Sequence, residues 1–337
     1  MSPGPRRARA PLGIALAAAF AAVAALVGLF VGPSHLAPGE VLAALFGGPV
    51  SDTTRDLVWI DRGPRVLLGL FVGAALAAAG TLFQAILRNP LADPYIVGVG
   101  PGALLGAALA GALGVSQASL LGITGAGACA FLGAAGAAAL VLGVAGGRGP
   151  GSSTRVLLAG VAVGSFVTAV ATWALYVENP SWQEAVHWLL GTLAWADAAR
   201  IRTAAVATGV LVALVCVRAR DLDALALGEA SARFGGVDAP RAVRWLAAAG
   251  CLLVAAAVST AGLVGFVGLL VPHGARRLVG PGHRVLVPVA ALLGAGLLVL
   301  ADAVARATAR VEVPVGVVTA LLGAPVFAWL LRRSPRG

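Results

Sequence analysis

The 337-residue sequence predicts an all-α, polytopic membrane protein of about ten transmembrane helices with an inverted internal repeat. Three observations carry that expectation. Hydrophobic residues make up 59% of the chain and charged residues only 11%, with a mean hydropathy of +0.94, whereas soluble domains carry roughly 25% charged residues. Long apolar runs recur along the whole chain, many of them near the about 20 residues a helix needs to cross a bilayer. The arginines also gather in alternate connections between those runs, as orientation in a membrane requires.

The apolar segments run over 12–32, 64–87, 95–114, 118–146, 156–177, 201–217, 243–264, 266–279, 285–304 and 314–331. The first follows PRRAR and reads either as a secretory signal peptide or as an uncleaved first helix; the many spans behind it favour the second. The eighth is too short to be assigned from hydropathy alone. AVHWLLGTLAWA (185–196) is also too short to span, and its Trp188 and Trp195 suit an interfacial or re-entrant helix. Ten spans put both termini on one side, which PRRAR and RRSPR mark as cytoplasmic, with residues 1–11 as a tail on a single membrane domain. Loops then assigned inside hold 17 of the 24 arginines. Arg55, Arg62, Arg65, Arg200, Arg202, Arg306 and Arg310 fall outside and break the trend.

Composition excludes several functions. The chain has a formal charge of +10 and no lysine, and the arginine distribution assigns that charge to topology rather than to nucleic acid. A P-loop needs its GK[ST] lysine to neutralise phosphates, so the chain cannot hydrolyse ATP and draws energy from a partner chain or an ion gradient. An ion-coupled transporter tends to carry ionisable relays inside its spans, and here the apolar runs are nearly free of acids, with Asp302 close to an outer helix end. Cys129, Cys216 and Cys251 lie singly in apolar runs and read as small core residues. His273 and His283 are ten residues apart with no third ligand nearby, so no metal or cofactor is expected, and His273 is expected to bond locally beside Pro272.

Shifting the sequence by 182 residues places Arg62 on Arg244, Gly80 on Gly262 and Pro90 on Pro272. Five spans separate the copies, so they would lie in opposite orientations, an arrangement common around transport pathways. Chance similarity between Ala/Gly-rich helices is the alternative. Between the second and third segments stands RNPLADPYIVGVGPGA (88–103), polar and proline-broken. Pro90 and Pro94 stop the helix there, leaving either an ordinary turn or non-helical backbone against a cavity. DLDALALGEASARFGGV (221–237) is the longest polar stretch between mid-chain spans, and glycines at 228, 235 and 236 predict two short helices joined by a turn.

RNPLADP, LALGEASARFGGV, GFVGLLVPHGARRLVG, LADAVAR and PVGVVTALLGAPVFAWLL occur in this order and resemble the FecCD-type permeases of ABC importers, over about residues 55 to 331. Such permeases carry iron–siderophore complexes, haem or cobalamin across the inner membrane. The resemblance implies a second permease subunit (the same chain or a close paralogue), two ATP-binding subunits and an extracytoplasmic substrate-binding protein. It makes Asn89, Leu91, Ser153 and Thr154 the inner gate, although Ser153 and Thr154 also suit helix capping. It makes 221–237 the coupling loop, with Leu227, Gly228, Glu229, Ala230 and Arg233 contacting the ATPase. It places Arg62, Arg65 and Arg306 where the binding protein docks, against the alternative that they pair with Asp61 and Asp302. Gly63 and Gly235 depart from leucines usual in the family. The expected cargo is an iron(III)–siderophore, with cobalamin or haem as alternatives and an ion-coupled transporter less favoured.

Overall fold

The computed structural model describes residues 5–116, 119–120, 123–145, 152–178, 190–308 and 312–333. Helices α1 (Pro5–Phe30), α2 (Pro38–Phe46) and α3 (Asp52–Asp56) open the chain. A π-helical stretch, Leu57–Arg62, joins α3 without a break to α4 (Gly63–Ile86). There follow a 3-10 turn (Pro94–Val97), α5 (Val99–Ala112), α6 (Gly125–Ala145), α7 (Ser152–Glu178) and α8 (Ala198–Val217). Two short helices, α9 (Ala219–Ala226) and α10 (Glu229–Phe234), precede α11 (Ala239–Ala261), α12 (Val267–Val279), α13 (His283–Ala307) and α14 (Val315–Arg333). The one strand pairing among the described residues is antiparallel, Ser119 with Thr124 and Leu120 with Ile123, between α5 and α6.

Each of the ten apolar segments contains a helix among the described residues. Seven stretches are long and apolar enough to cross a membrane: Ala10–Phe30, Asp52–Ile86, Gly125–Ala145, Leu158–Tyr176, Ala198–Val217, Ala239–Ala261 and His283–Ala307. In the other three the apolar helix is shorter: Val99–Ala112 in α5, Val267–Val279 in α12 and Val315–Leu330 in α14. Gly98 at φ +73° delays the start of α5, and Phe266 at φ +66° and Gly280 at φ +84° bound α12. The second span begins at Asp52 rather than near 64 because the chain stays helical through Pro64. The Gly63 N–H bonds back to the Val58 carbonyl, and this widened turn accommodates the residue that lacks a donor. The interfacial helix expected over 185–196 lies mostly outside the described residues, and 191–197 is a turn with Gly191 at φ +70°.

The buried centre is built from α4, α11 and α13, and small residues decide how closely they approach. Between helices in lipid there is no hydrophobic drive, so contact depends on backbone closeness. A Cβ on Gly80 would lie 1.8 Å from the Gly268 carbonyl oxygen, and one on Gly73 would lie 2.2 Å from that of Gly294. Gly102 faces Gly133, and Gly106 faces Cys129, in the same way across α5 and α6. The residues that the 182-residue shift superposes stand in different local structures. Gly80 is inside α4 while Gly262 caps α11, and Pro90 is in a turn while Pro272 is inside α12.

Candidate functional site

Chemistry-bearing residues collect at the two ends of α4. Past its C-terminal end, Arg88 takes φ +50° and turns the chain sharply. The Asn89 N–H donates to the Gln84 carbonyl at 3.1 Å, and Asn89 Oδ1 accepts from the Leu91 N–H at 2.9 Å. This Asx turn holds Asn89 and Leu91 half-buried at the helix end. Asp93 then caps the 3-10 turn, its Oδ1 accepting from the Tyr95 N–H at 2.8 Å. Burial pushes the Asp93 carboxyl up to about 6, against the opposing effect of that hydrogen bond. The Tyr95 hydroxyl in turn accepts from the Val264 N–H at 3.3 Å. The turn packs on α7, and a groove of roughly 640 Å³ between them is lined by Asp93, Tyr95, Gly160, Gly164, Ser165 and Thr168. Ser153 and Thr154 form the first turn of α7 by their backbone, and their side chains lie outside the description.

On the same end sit α9 and α10, two short helices joined at Gly228 as the polar 221–237 stretch predicts. Gly228 adopts φ +111° and ψ +157°, a conformation essentially reserved for glycine. Leu222 and Leu225 of α9 are buried, while Leu227 at the turn and Phe234 at the tip are 78% and 94% exposed. Ala230 and Arg233 are exposed as well, and Glu229 begins α10. A cleft of roughly 490 Å³ lies between these helices and the bundle, lined by Gln84, Arg88, Leu227, Asp223, Arg276 and His283 among others. Asp223 Oδ1 accepts from the His283 N–H at 2.9 Å and lies 2.7 Å from the His283 Nδ1. Burial alone would raise the Asp223 carboxyl, but the bonds from His283 outweigh it and hold it below the usual range. Arg276 Nη1 donates to Gln84 Oε1 at 2.6 Å, and Gln84 Nε2 donates to the Leu269 carbonyl at 3.1 Å.

The opposite end holds the three arginines expected to dock the binding protein, Arg62, Arg65 and Arg306. Arg62 is 1% exposed, and its guanidinium donates to the carbonyls of Leu29 (2.9 Å), Phe30 (3.0 Å) and Ser34. Arg306 is also buried. Its Nε donates to Asp302 at 2.8 Å, and its two terminal nitrogens donate to Val31 (2.7 Å) and Gly28 (3.0 Å). Both arginines therefore satisfy the unpaired carbonyls at the C-terminal end of α1. In this chain their guanidinium donors are directed at its own carbonyls and at Asp302, and the pairing of Arg306 with Asp302 is the alternative the sequence left open. Arg65 is 8% exposed and makes a bidentate pair with Glu312 (2.6 and 3.0 Å), while its Nε lies 2.9 Å from Asp61. The two carboxylates of this triad remain partly exposed at its rim.

Sequence reasoning missed Asp223, Gln84, Arg276 and Glu312. Their partners are backbone groups or residues far along the chain, which leave no local pattern; only Gly282, unable to cap α13 itself, hints that a cap comes from elsewhere. His273 Nε2 is buried without a hydrogen-bond partner, contrary to the local bond expected beside Pro272. Cys251 is buried, and Cys129 and Cys216 are half-buried free thiols.

A model of the FecCD transport family matches residues 20–333. The cobalamin import system permease protein BtuC of Halobacterium salinarum is 42% identical over 309 residues, covering 88% of this chain and 79% of that protein. The vitamin B12 import system permease protein BtuC of Salmonella paratyphi A is 40% identical over 322 residues, covering 93% of each. A solved metal-chelate type ABC transporter in an inward-facing conformation superposes with a TM-score of 0.81 at 28% identity, over 96% of this chain and 100% of that one. PsaBC from Streptococcus pneumoniae, at 17% identity and a TM-score of 0.60 over 88% of this chain and 97% of that one, shares the fold.

Proposed function

The chain belongs to the FecCD transport family and is a multi-pass transport component, and from that premise we propose that it is the permease of an ATP-driven cobalamin importer. One observation carries the cargo: the relatives at 42% and 40% identity, spanning 88% and 93% of this chain, are both cobalamin permeases. The iron–siderophore expectation rested on the breadth of the family and gives way to its cobalamin alternative. An ion-coupled mechanism is disfavoured by Asp302, whose carboxylate is already engaged by Arg306 and is not a free relay. In proteoliposomes holding the permease with its ATP-binding subunits and binding protein, ATP-dependent uptake of labelled cobalamin is expected, unaffected by excess ferric siderophore or haem. Uptake of the siderophore with cobalamin ignored would overturn the cargo.

In this reading both termini and the α9–α10 pair face the cytoplasm, where two ATP-binding subunits engage Leu227, Gly228, Glu229, Ala230 and Arg233. The large exposure of Leu227 and Phe234 supports a protein contact there. A second permease subunit completes the pathway, with the apolar residues that α7 exposes, among them Phe166 and Trp173, toward it or lipid. Asn89 and Leu91, on a turn packed beside α7, with Ser153 and Thr154 at the start of that helix, form the inner gate. Cysteine at Leu91 is expected to crosslink between the two permeases and stop release of cobalamin while binding-protein docking continues. Unimpeded uptake in fully crosslinked complexes would remove the gate. At the outer face, Arg65, whose partners Asp61 and Glu312 reach the surface, is the most exposed of the three arginines expected to dock the binding protein.

A further inference from the structure

We infer that Asp223 is a positioning residue for transport: it fixes the α9–α10 pair to α13, so that a push on α9 moves the N-terminal end of that long helix. The inference rests on the reading of α9 and α10 as the elements the ATP-binding subunits engage. Helix α13 starts at His283 after Gly282, which has no side chain to cap it. Its first N–H groups need acceptors; the Gly282 carbonyl takes that of Val285 at 3.2 Å, but Gly282 has no side chain to take that of His283. Asp223 supplies one from another element, taking the His283 N–H at 2.9 Å and facing the ring Nδ1 at 2.7 Å through a single oxygen. A carboxylate there also meets the positive end of the α13 dipole.

The mechanical surroundings suit a rigid joint. Leu222 and Leu225, flanking Asp223 on α9, are 0% and 3% exposed, and His283 is 4% exposed. The polar tie thus lies beside an apolar seat, while Leu227, four residues along, is 78% exposed at the turn. One face of α9 is anchored and its far end is free to be gripped. From this joint α13 runs 25 residues, about 37 Å at 1.5 Å per residue, to Asp302 and Arg306 and their hold on α1. A displacement at Asp223 is therefore passed along one helix to the opposite end of the bundle.

The test uses the assembled importer in proteoliposomes and reads cobalamin taken up per ATP hydrolysed, with co-purification of the ATP-binding subunits and the unfolding midpoint in detergent measured alongside. Asp223→Ala is expected to co-purify and remain folded but to lose coupling by about tenfold, within the usual range of linked sites. Asp223→Asn, which can still accept the His283 N–H, is expected to recover most of the loss. Leu227→Glu addresses the underlying reading and is expected to abolish co-purification. Normal uptake per ATP in Asp223→Ala, or a loss that Asp223→Asn does not relieve, overturns the joint even where Leu227→Glu behaves as expected. Normal co-purification of Leu227→Glu overturns the engagement of α9–α10 instead. If Asp223→Ala lowers the unfolding midpoint and uptake falls only as far as the folded fraction, the residue is a structural cap and the proposal fails.

Discussion

Replacing Gly80 with leucine is expected to remove folded permease from the membrane altogether. The first atom added, Cβ, would lie 1.8 Å from the Gly268 carbonyl oxygen, 2.5 Å from its carbon and 2.7 Å from its Cα. All three are backbone atoms in the first turn of α12, so no rotamer change relieves the overlap. Overpacking a core typically costs about 1–3 kcal/mol even where side chains can shift, and here whole helices must separate. A shift of α4 would also disturb its equally close contact with α13, where Gly73 meets Gly294. Gly136→Leu is the control, because nothing lies within 4 Å of a Cβ there. Fluorescence-detected size-exclusion of tagged protein in detergent should show no monodisperse peak for Gly80→Leu and a wild-type peak for Gly136→Leu. A normal peak for both would mean that α4 and α12 do not meet as described.

The second large effect is expected at Arg306. Arg306→Ala removes three donors at once and leaves Asp302, 2% exposed, as a buried carboxylate without its partner. Breaking a buried pair from one side costs about 3–5 kcal/mol, and the carbonyls of Gly28 and Val31 lose their acceptor role as well. The double variant Asp302→Ala/Arg306→Ala should recover part of that stability, since no charge is then stranded. Chemical unfolding in detergent measures both, and an Arg306→Ala midpoint equal to wild type would show that the clamp contributes nothing. Had Arg306 been an exposed docking cation, the same substitution would instead slow association with the binding protein and leave stability alone.

How far the sequence reveals this molecule depends on where each partner sits. Apolar length places most of the helices, the short eighth segment excepted, because burial in lipid is read residue by residue. The α9–α10 pair is equally visible, since Gly228 interrupts a polar helical stretch and only glycine takes φ +111° with ease. The start of the second span is hidden by Pro64, whose missing donor is absorbed by a π-turn that has no local signature. Small residues announce close packing without saying which pairs meet, as with Gly80 and Gly268. The role of Arg62 and Arg306 is hidden for a related reason: their partners are backbone carbonyls, which every residue has. Cargo identity is fainter still, because the Ala- and Gly-rich apolar segments carry few side chains whose chemistry would name what passes.

The clamp on α1 also constrains the order in which this protein is made. The carbonyls of Val31 and Gly28 are met by a side chain 275 and 278 positions downstream. A ribosome delivering the chain from its N-terminus therefore makes the first helix long before its C-terminal end can be closed. Arg62 arrives early and takes Leu29 and Phe30, while the remaining acceptors stay with water or a chaperoning surface until α13 is in place. The first helix is closed by nearly the last, so any chain that stops short of Arg306 leaves the carbonyls of Val31 and Gly28 without these donors.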